Sequence, residues 1–176
     1  TPTSVPLGDG TKMVALADMN NDGKLDLVSL NALGNNISIA LGNGDGTFLP
    51  AVNKAISNAS SLKQFEITDL NGDGNLDVLT GGSRIVFSMG NGDGSLREST
   101  QINGNIVSGF ALGDANKDGT QDLGAFVDDG FSSNVYFISN KFGSSSSVSD
   151  RTQQIFGSPP PTNLGATNGN GNAIVN

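Results

Sequence analysis

Acidic and amide side chains alternate in the segment DMNNDGKLDLV, residues 18–28. Asp18, Asn20 and Asp22 stand at positions 1, 3 and 5, a glycine follows at position 6, and Asp26 stands at position 9. Crowding like charges into so short a stretch is unfavourable unless a cation lies among them. The spacing matches the first half of a calcium loop, in which positions 1, 3 and 5 supply side-chain oxygens and position 7 supplies a backbone carbonyl. The segment therefore predicts a calcium site.

The same pattern occurs three times, which distinguishes it from an ordinary turn rich in Asp and Asn. DLNGDGNLDVL begins at Asp69 and DANKDGTQDLG begins at Asp114, so the first aspartates are 51 and 45 residues apart. Oxygen-only donors favour Ca²⁺ over Zn²⁺, and we expect one Ca²⁺ in each loop, bound by the side chains at positions 1, 3, 5 and 9 and the carbonyl at position 7. The expected ligands are Asp18, Asn20, Asp22, Lys24 and Asp26; Asp69, Asn71, Asp73, Asn75 and Asp77; and Asp114, Asn116, Asp118, Thr120 and Asp122.

The units that carry these loops consist of short extended segments. In each unit an apolar segment leads into the loop, a β-rich run follows it, and a third extended segment comes next. In the first two units the third segment ends in near-identical turns, GNGDGTF (42–48) and GNGDGSL (90–96). Asn-Gly and Asp-Gly favour hairpin turns because both tolerate positive φ. With a fourth extended segment and no helical periodicity, the pattern predicts an all-β fold of three four-stranded antiparallel units.

Loops of the form D-x-N-x-D-G-x-x-D, paired with LGNGDGTF, resemble the FG-GAP or VCBS repeats of integrin-type β-propellers. The resemblance implies that each repeat is a four-stranded propeller blade, with calcium in the loop between its first two strands. It also implies extracellular adhesion, ligand binding or carbohydrate binding, and it implies that catalysis is rare among such domains. The expected divisions are an N-terminal extended segment (1–10), three repeats (about 11–59, 60–105 and 106–157, together 11–157) and a Pro/Gly/Asn-rich C-terminal segment (158–176).

Three repeats are too few to close a propeller, which needs about four to eight blades. An open array of three would leave strand edges and an apolar face exposed at each end. We therefore expect an incomplete propeller in a fragment, a ring completed by several chains, or a stack of another form. The C-terminal segment is expected to be either a linker or a donor strand, Asn172–Asn176, that pairs with a neighbouring chain.

Composition excludes several classes of function. The 176 residues include no His and no Cys, so His-based triads, thiol nucleophiles, imidazole or thiolate metal sites and disulfides are all excluded. A net charge of −8 argues against nucleic acid or an anionic membrane surface as a partner. The apolar runs are too short to predict membrane insertion. We therefore expect a non-enzymatic protein.

Calcium at the concentrations such loops need is an extracellular condition, so we expect a secreted or cell-surface protein. The leading hypothesis is an adhesion or self-assembly module, such as a ring or filament subunit, whose partner is another copy or an extracellular protein or glycan. One alternative is a carbohydrate-binding propeller-type lectin module, although aromatic residues make up only 6% of the chain and Trp is absent. The other is a fragment of a larger secreted multidomain protein. Two sequons, at Asn36 and Asn58, are candidate glycosylation sites expected to lie between strands.

Overall fold

The described part of the chain consists of β-strands joined by turns and loops. The computed structural model describes residues 4–56, 63–82, 84–97, 99–102, 107–115, 117, 119, 121–128 and 133–138. None of these residues forms a helix, so no helix there is long and apolar enough to cross a membrane. The strands are β1 (Thr11–Ala17), β2 (Asp26–Asn31), β3 (Asn36–Ala40), β4 (Val52–Ala55), β5 (Gln64–Thr68), β6 (Asp77–Gly81), β7 (Ile85–Ser88), β8 (Thr100–Ile102), β9 (Val107–Gly113), β10 (Asp122–Asp128) and β11 (Ser133–Ile138).

The strands form three antiparallel sheets, each within one expected repeat. Sheet 1 has the order β1-β2-β3-β4, sheet 2 has the order β5-β6-β7-β8, and sheet 3 contains β9-β10-β11. Every neighbouring pair is consecutive in the chain, so each sheet is a simple meander. The prediction of an all-β antiparallel fold is confirmed. A fourth strand of the third repeat would fall outside the described residues, so the count of three four-stranded units stays a prediction.

The first core lies between sheets 1 and 2. Val28 and Leu30 of β2 and Ile37 of β3 are buried together with Val78 and Val86 of sheet 2. Alternate residues of a strand point to opposite faces, which explains why valine and leucine recur at every second position in β2. Burying each such side chain stabilises the fold by about 1.5–3 kcal/mol.

The second core lies between sheets 2 and 3. Leu79, Ile85 and Phe87 of sheet 2 are buried together with Phe110 and Leu123 of sheet 3. Leu79 directly follows Val78 in β6, and the two residues point into different cores, Val78 into the first and Leu79 into the second. Sheet 2 is therefore covered on both faces. The sheets therefore stack face to face in chain order, as in a β-propeller-like fold.

The first sequon lies in a strand rather than between strands. Asn36 is the first residue of β3 and Ser38 is buried, so the expected position of this sequon is wrong. The reason is the short turn after β2, which places Asn36 opposite Asn31 in the sheet. The Asn36 Nδ2 donates to the Gly34 carbonyl at 3.2 Å. Glycosylation of Asn36 stays a prediction, and Asn58 lies outside the described residues.

Candidate metal sites

Each of the acidic loops joins the first two strands of its sheet. The loops run from the end of β1 to β2, from the end of β5 to β6, and from the end of β9 to β10. In each case the position-9 aspartate is the first residue of the second strand and pairs with the residue just before position 1. The antiparallel register therefore holds the two ends of every loop side by side.

The position-1 carboxylate makes the same contact in all three loops. It accepts a hydrogen bond from the N–H of the position-6 glycine, which has a φ of 80°, 84° or 88° in the three loops. This left-handed conformation is the reason that glycine stands at position 6. The donor-to-acceptor distances are 2.8 Å (Gly23 to Asp18), 2.9 Å (Gly74 to Asp69) and 2.9 Å (Gly119 to Asp114).

Positions 1, 3 and 5 lie together in the first loop. The N–H of Asp22 lies 3.1 Å from Asp18 Oδ1 and 3.2 Å from Asn20 Oδ1, so these two oxygens share one donor. Asp22 Oδ1 accepts the N–H of Lys24 at 2.9 Å, and this contact lowers the pKa of Asp22. The Lys24 ammonium also lies 3.4 Å from Asp22 Oδ2, which brings a positive charge to the loop.

The second loop repeats this arrangement. The N–H of Asp73 lies 3.1 Å from Asp69 Oδ1 and 2.9 Å from Asn71 Oδ1, and Asp73 Oδ1 accepts the N–H of Asn75 at 2.8 Å. Asn71 is fully buried, and its Nδ2 donates to Asp73 Oδ2 at 3.0 Å. The backbone of both loops thus holds three oxygen-bearing side chains around one turn. In the third loop, Asn116, Asp118 and Thr120 lie outside the described residues.

The position-9 aspartates are buried and have a role that the sequence analysis did not predict. Asp26 is 0% exposed, its Oδ2 accepts the N–H of Met19 at 2.8 Å, and its Oδ1 accepts the N–H of Gly42 at 2.8 Å. The carboxylate therefore connects the acidic loop to the GNGDG turn. Each oxygen accepts one N–H in the structure and has one further lone pair. A signal for this role was present, since a carboxylate at the start of an apolar strand must find hydrogen-bond donors when it is buried.

Asp77 makes the equivalent contacts in the second repeat, with the N–H groups of Leu70 at 2.9 Å and Gly90 at 2.8 Å. Burial raises the pKa of Asp77 to about 6; the two N–H groups oppose this shift, and the nearby carboxylates of Asp73 and Asp69 add to it. Asp122 is buried in the same way and accepts the N–H of Ala115 at 2.9 Å. Within the described residues no three acidic side chains converge closely enough to form a metal site as they stand.

The GNGDG turns are stabilised by their own side chains. Asp45 Oδ1 accepts the N–H of Thr47 at 2.9 Å and its hydroxyl at 2.6 Å, and these two bonds lower the pKa of Asp45. The equivalent bonds join Asp93 to Ser95 at 2.9 and 2.6 Å. The predicted turns therefore close between β3 and β4 and between β7 and β8. Their aspartates serve the turn rather than the acidic loop.

The first two acidic loops also contact each other. Asn21 Nδ2, at position 4 of the first loop, donates to Asn75 Oδ1, at position 7 of the second loop, at 2.9 Å. The N–H of Gly94, in the second GNGDG turn, donates to the carbonyl of Met19 at 3.1 Å. No pattern within a single repeat indicates these contacts, because they depend on how sheet 2 sits against sheet 1.

The comparisons with known proteins agree with this architecture. The family model for FG-GAP-like repeats matches residues 18–80 and 69–125, which together make up more than half of the chain. No curated protein sequence matches the chain significantly.

Two solved structures are similar to part of this chain. The Tc holotoxin pore of Photorhabdus luminescens has a TM-score of 0.52 and 19% identity, over 77% of this chain and 7% of the toxin chain. An Agrocybe aegerita lectin that recognises non-reducing terminal N-acetylglucosamine has a TM-score of 0.49 and 21% identity, over 74% of this chain and 39% of the lectin. The chain thus spans well under half of either protein, and at these identities the likeness concerns the fold alone.

Proposed function

The chain belongs to the FG-GAP-like repeat family, and we propose that it is a non-enzymatic extracellular protein whose repeats bind Ca²⁺ and serve adhesion or self-assembly. The observation that carries the calcium proposal is the shared geometry of the loops. Three separate segments hold the position-1 carboxylate against the position-6 glycine N–H within 0.1 Å of the same distance. Oxygen donors arranged around such a turn suit the hard Ca²⁺ ion.

In the first loop, the proposed ligands are the side chains of Asp18, Asn20, Asp22 and Asp26 and the carbonyl of Lys24, and the three carboxylates would draw closer together around the ion than they lie in the structure. The equivalent residues would act in the second and third loops. A bound Ca²⁺ would supply positive charge at the centre of each loop and so offset the repulsion between its carboxylates. Without the ion, this repulsion is reduced in the first loop by the Lys24 ammonium, which lies 3.4 Å from Asp22.

Metal that binds only the folded protein stabilises it by about 3–4 kcal/mol at concentrations a hundred to a thousand times the dissociation constant. The loops join consecutive strands, and the position-9 carboxylate extends the connection to the GNGDG turn. Calcium would therefore act as a structural ion that holds the strand ends of each sheet. The absence of His and Cys from the chain supports a binding role over catalysis.

Calorimetric titration with Ca²⁺ tests the proposal, with Mg²⁺ as the comparison ion. The chain offers a matched pair of variants, Asp22→Asn in an acidic loop and Asp45→Asn in a GNGDG turn. Both aspartates precede a glycine, both are exposed, and both accept a backbone N–H two residues on. We expect the wild-type protein to bind three Ca²⁺ ions, Asp22→Asn to lose or weaken one, and Asp45→Asn to bind all three.

Absence of calcium binding by the wild-type protein would refute the proposal, as would equal losses in the two variants.

The extracellular part of the proposal rests on the calcium concentration that such loops require. An adhesion assay on protein-coated or glycan-coated surfaces, run in calcium and in chelator, tests the adhesive role. Attachment that does not change in chelator would count against it.

A further inference from the structure

One pair of apolar side chains occupies the same place in every repeat. These residues stand four and two positions before the first aspartate of the acidic loop, on the first strand of each sheet. Phe65 and Ile67 pack into the first core against sheet 1, and Phe110 and Leu112 pack into the second core against sheet 2. We call the face that carries this pair the front face, because it packs on the preceding sheet.

In sheet 1, no sheet in the described part of the chain packs against the front-face pair. The equivalent residues are Val14 and Leu16, which are 58% and 56% exposed. The N-terminal segment covers another part of this face, where the N–H of Gly8 donates to the buried hydroxyl of Ser38 on β3 at 3.0 Å. Val14 and Leu16 on β1 thus form an apolar patch beside that covered part.

The opposite, or back, face of each sheet carries a complementary pair. The pair consists of the residue four positions after the position-9 aspartate and the residue opposite it on the next strand. In sheet 1 this pair is Leu30 and Ile37, which are 0% and 1% exposed under sheet 2. In sheet 3 it is Phe126 and Val135, which are 39% and 65% exposed.

The two sheet contacts within the chain show how these pairs meet. Leu30 and Ile37 lie in the same core as Phe65 and Ile67. In the next contact Gly81, the equivalent of Leu30, lies so close to Phe110 that an added Cβ would be 2.8 Å from the ring. A small residue there accommodates a large partner. The two exposed faces have the reverse combination. The large Phe126 lies on the back face of sheet 3, and the smaller Val14 lies on the front face of sheet 1.

We infer that the open back face of sheet 3 packs on the open front face of sheet 1 in a second copy of this chain. The contact repeats, between molecules, the sheet packing that occurs twice within the molecule. Phe126 and Val135 of one copy then cover Val14 and Leu16 of the next. Because the two faces differ, the contact is heterologous, and its repetition gives a closed ring or a filament. The inference deepens the self-assembly part of the proposed function and rests on it.

Cysteine cross-linking tests the geometry directly, because the chain has no cysteine of its own. Full-length Val14→Cys and Phe126→Cys proteins are mixed in calcium with a mild oxidant. We expect a disulfide-linked dimer from the mixture and none from either variant alone, since the contact places position 14 opposite position 126. Equal cross-linking of a single variant, or no cross-linking of the mixture, would overturn the inference.

Sedimentation in calcium tests the energetics. The double variant Val14→Asp, Leu16→Asp places charges on exposed positions that the inferred contact buries, so association should weaken by at least about tenfold. Leu33→Asp is the matched control, because Leu33 is 81% exposed and lies in the turn between β2 and β3. Equal association of the two variants, or a wild-type protein that remains monomeric, would overturn the inference.

Calorimetry on the same proteins separates the inference from the calcium proposal. The double variant should bind Ca²⁺ as the wild-type protein does, because Val14 and Leu16 lie outside the acidic loop. Calcium binding without association would leave the metal proposal intact and remove this contact. In that case the patch would be covered by something other than a second copy, such as a further repeat of a longer chain.

Discussion

The buried carboxylate of Asp26 gives the sharpest test of how the acidic loops are built. Replacing Asp26 by Ala removes the acceptor for two backbone N–H groups, those of Met19 and Gly42. The site is 0% exposed, so both N–H groups become buried donors without a side-chain partner. Each buried donor left without a partner costs about 1–3 kcal/mol, so Asp26→Ala should lower the free energy of unfolding by about 2–6 kcal/mol.

This loss should appear in chelator as well as in calcium, because it does not depend on the ion. Asp22→Ala is the contrasting variant in the same loop. Asp22 is exposed and accepts the N–H of Lys24, which water can replace, so the variant should lose little stability in chelator. In calcium it should lose the stabilisation that the ion provides. Asp26→Asn keeps one acceptor oxygen and should fall between wild type and Asp26→Ala.

Urea unfolding followed by circular dichroism, in millimolar calcium and in excess chelator, measures all of these differences. The reasoning fails if Asp26→Ala in chelator is no less stable than Asp22→Ala. That result would mean that the two N–H contacts of the position-9 aspartate contribute nothing measurable to stability.

Four further predictions follow from other contacts. Gly42→Ala should destabilise the protein by at least about 1 kcal/mol, because its Cβ would collide with a carbonyl of the first acidic loop. Asn75→Ala should cost about 0.5–1.5 kcal/mol in wild type but much less on top of Asn21→Ala, which a double-mutant cycle measures. Thr80→Val should stabilise the protein by about 1 kcal/mol in thermal unfolding, because the buried Thr80 hydroxyl has no hydrogen-bond partner in the described part of the chain. Burial raises the pKa of Asp77 from 3.8 to about 6, so the folded protein binds that proton more tightly. In chelator, the free energy of unfolding should therefore fall by about 2 kcal/mol as the pH rises from about 4 to about 7, and Asp77→Asn should lose this slope.

The order of strands and loops could be predicted from the sequence because it depends on local rules. Alternating side chains in LDLVSL predict a strand with two different faces, and β2 buries Val28 and Leu30 on one of them. Glycine at position 6 predicts a left-handed turn, and Gly23 has a φ of 80°. Each of these features depends on a few neighbouring residues, so the spacing is enough to indicate them.

The contacts between repeats could not be predicted in this way. The hydrogen bond from Asn21 to Asn75 joins residues that are far apart in the chain, and it forms only because sheet 2 packs on sheet 1. The exposure of Val14 and Leu16 likewise depends on how the sheets pack, not on the local sequence. Both residues fit the apolar pattern of an ordinary strand, and only comparison with the buried Phe110 shows that no sheet among the described residues covers them.

The hydrogen bonds of Asp26 explain why the two sequence motifs occur together in the first two repeats. One oxygen accepts an N–H within the acidic loop, and the other accepts the N–H of Gly42, the first residue of the GNGDG turn. A side chain at Gly42 would collide with the Leu25 carbonyl, so the turn can approach the loop only with glycine there. The second repeat has the same pair of bonds, from Leu70 and Gly90. The acidic loop and the turn are therefore one structural unit joined through a buried carboxylate. An ion that ordered the loop would also hold in place the turn that follows β3 or β7.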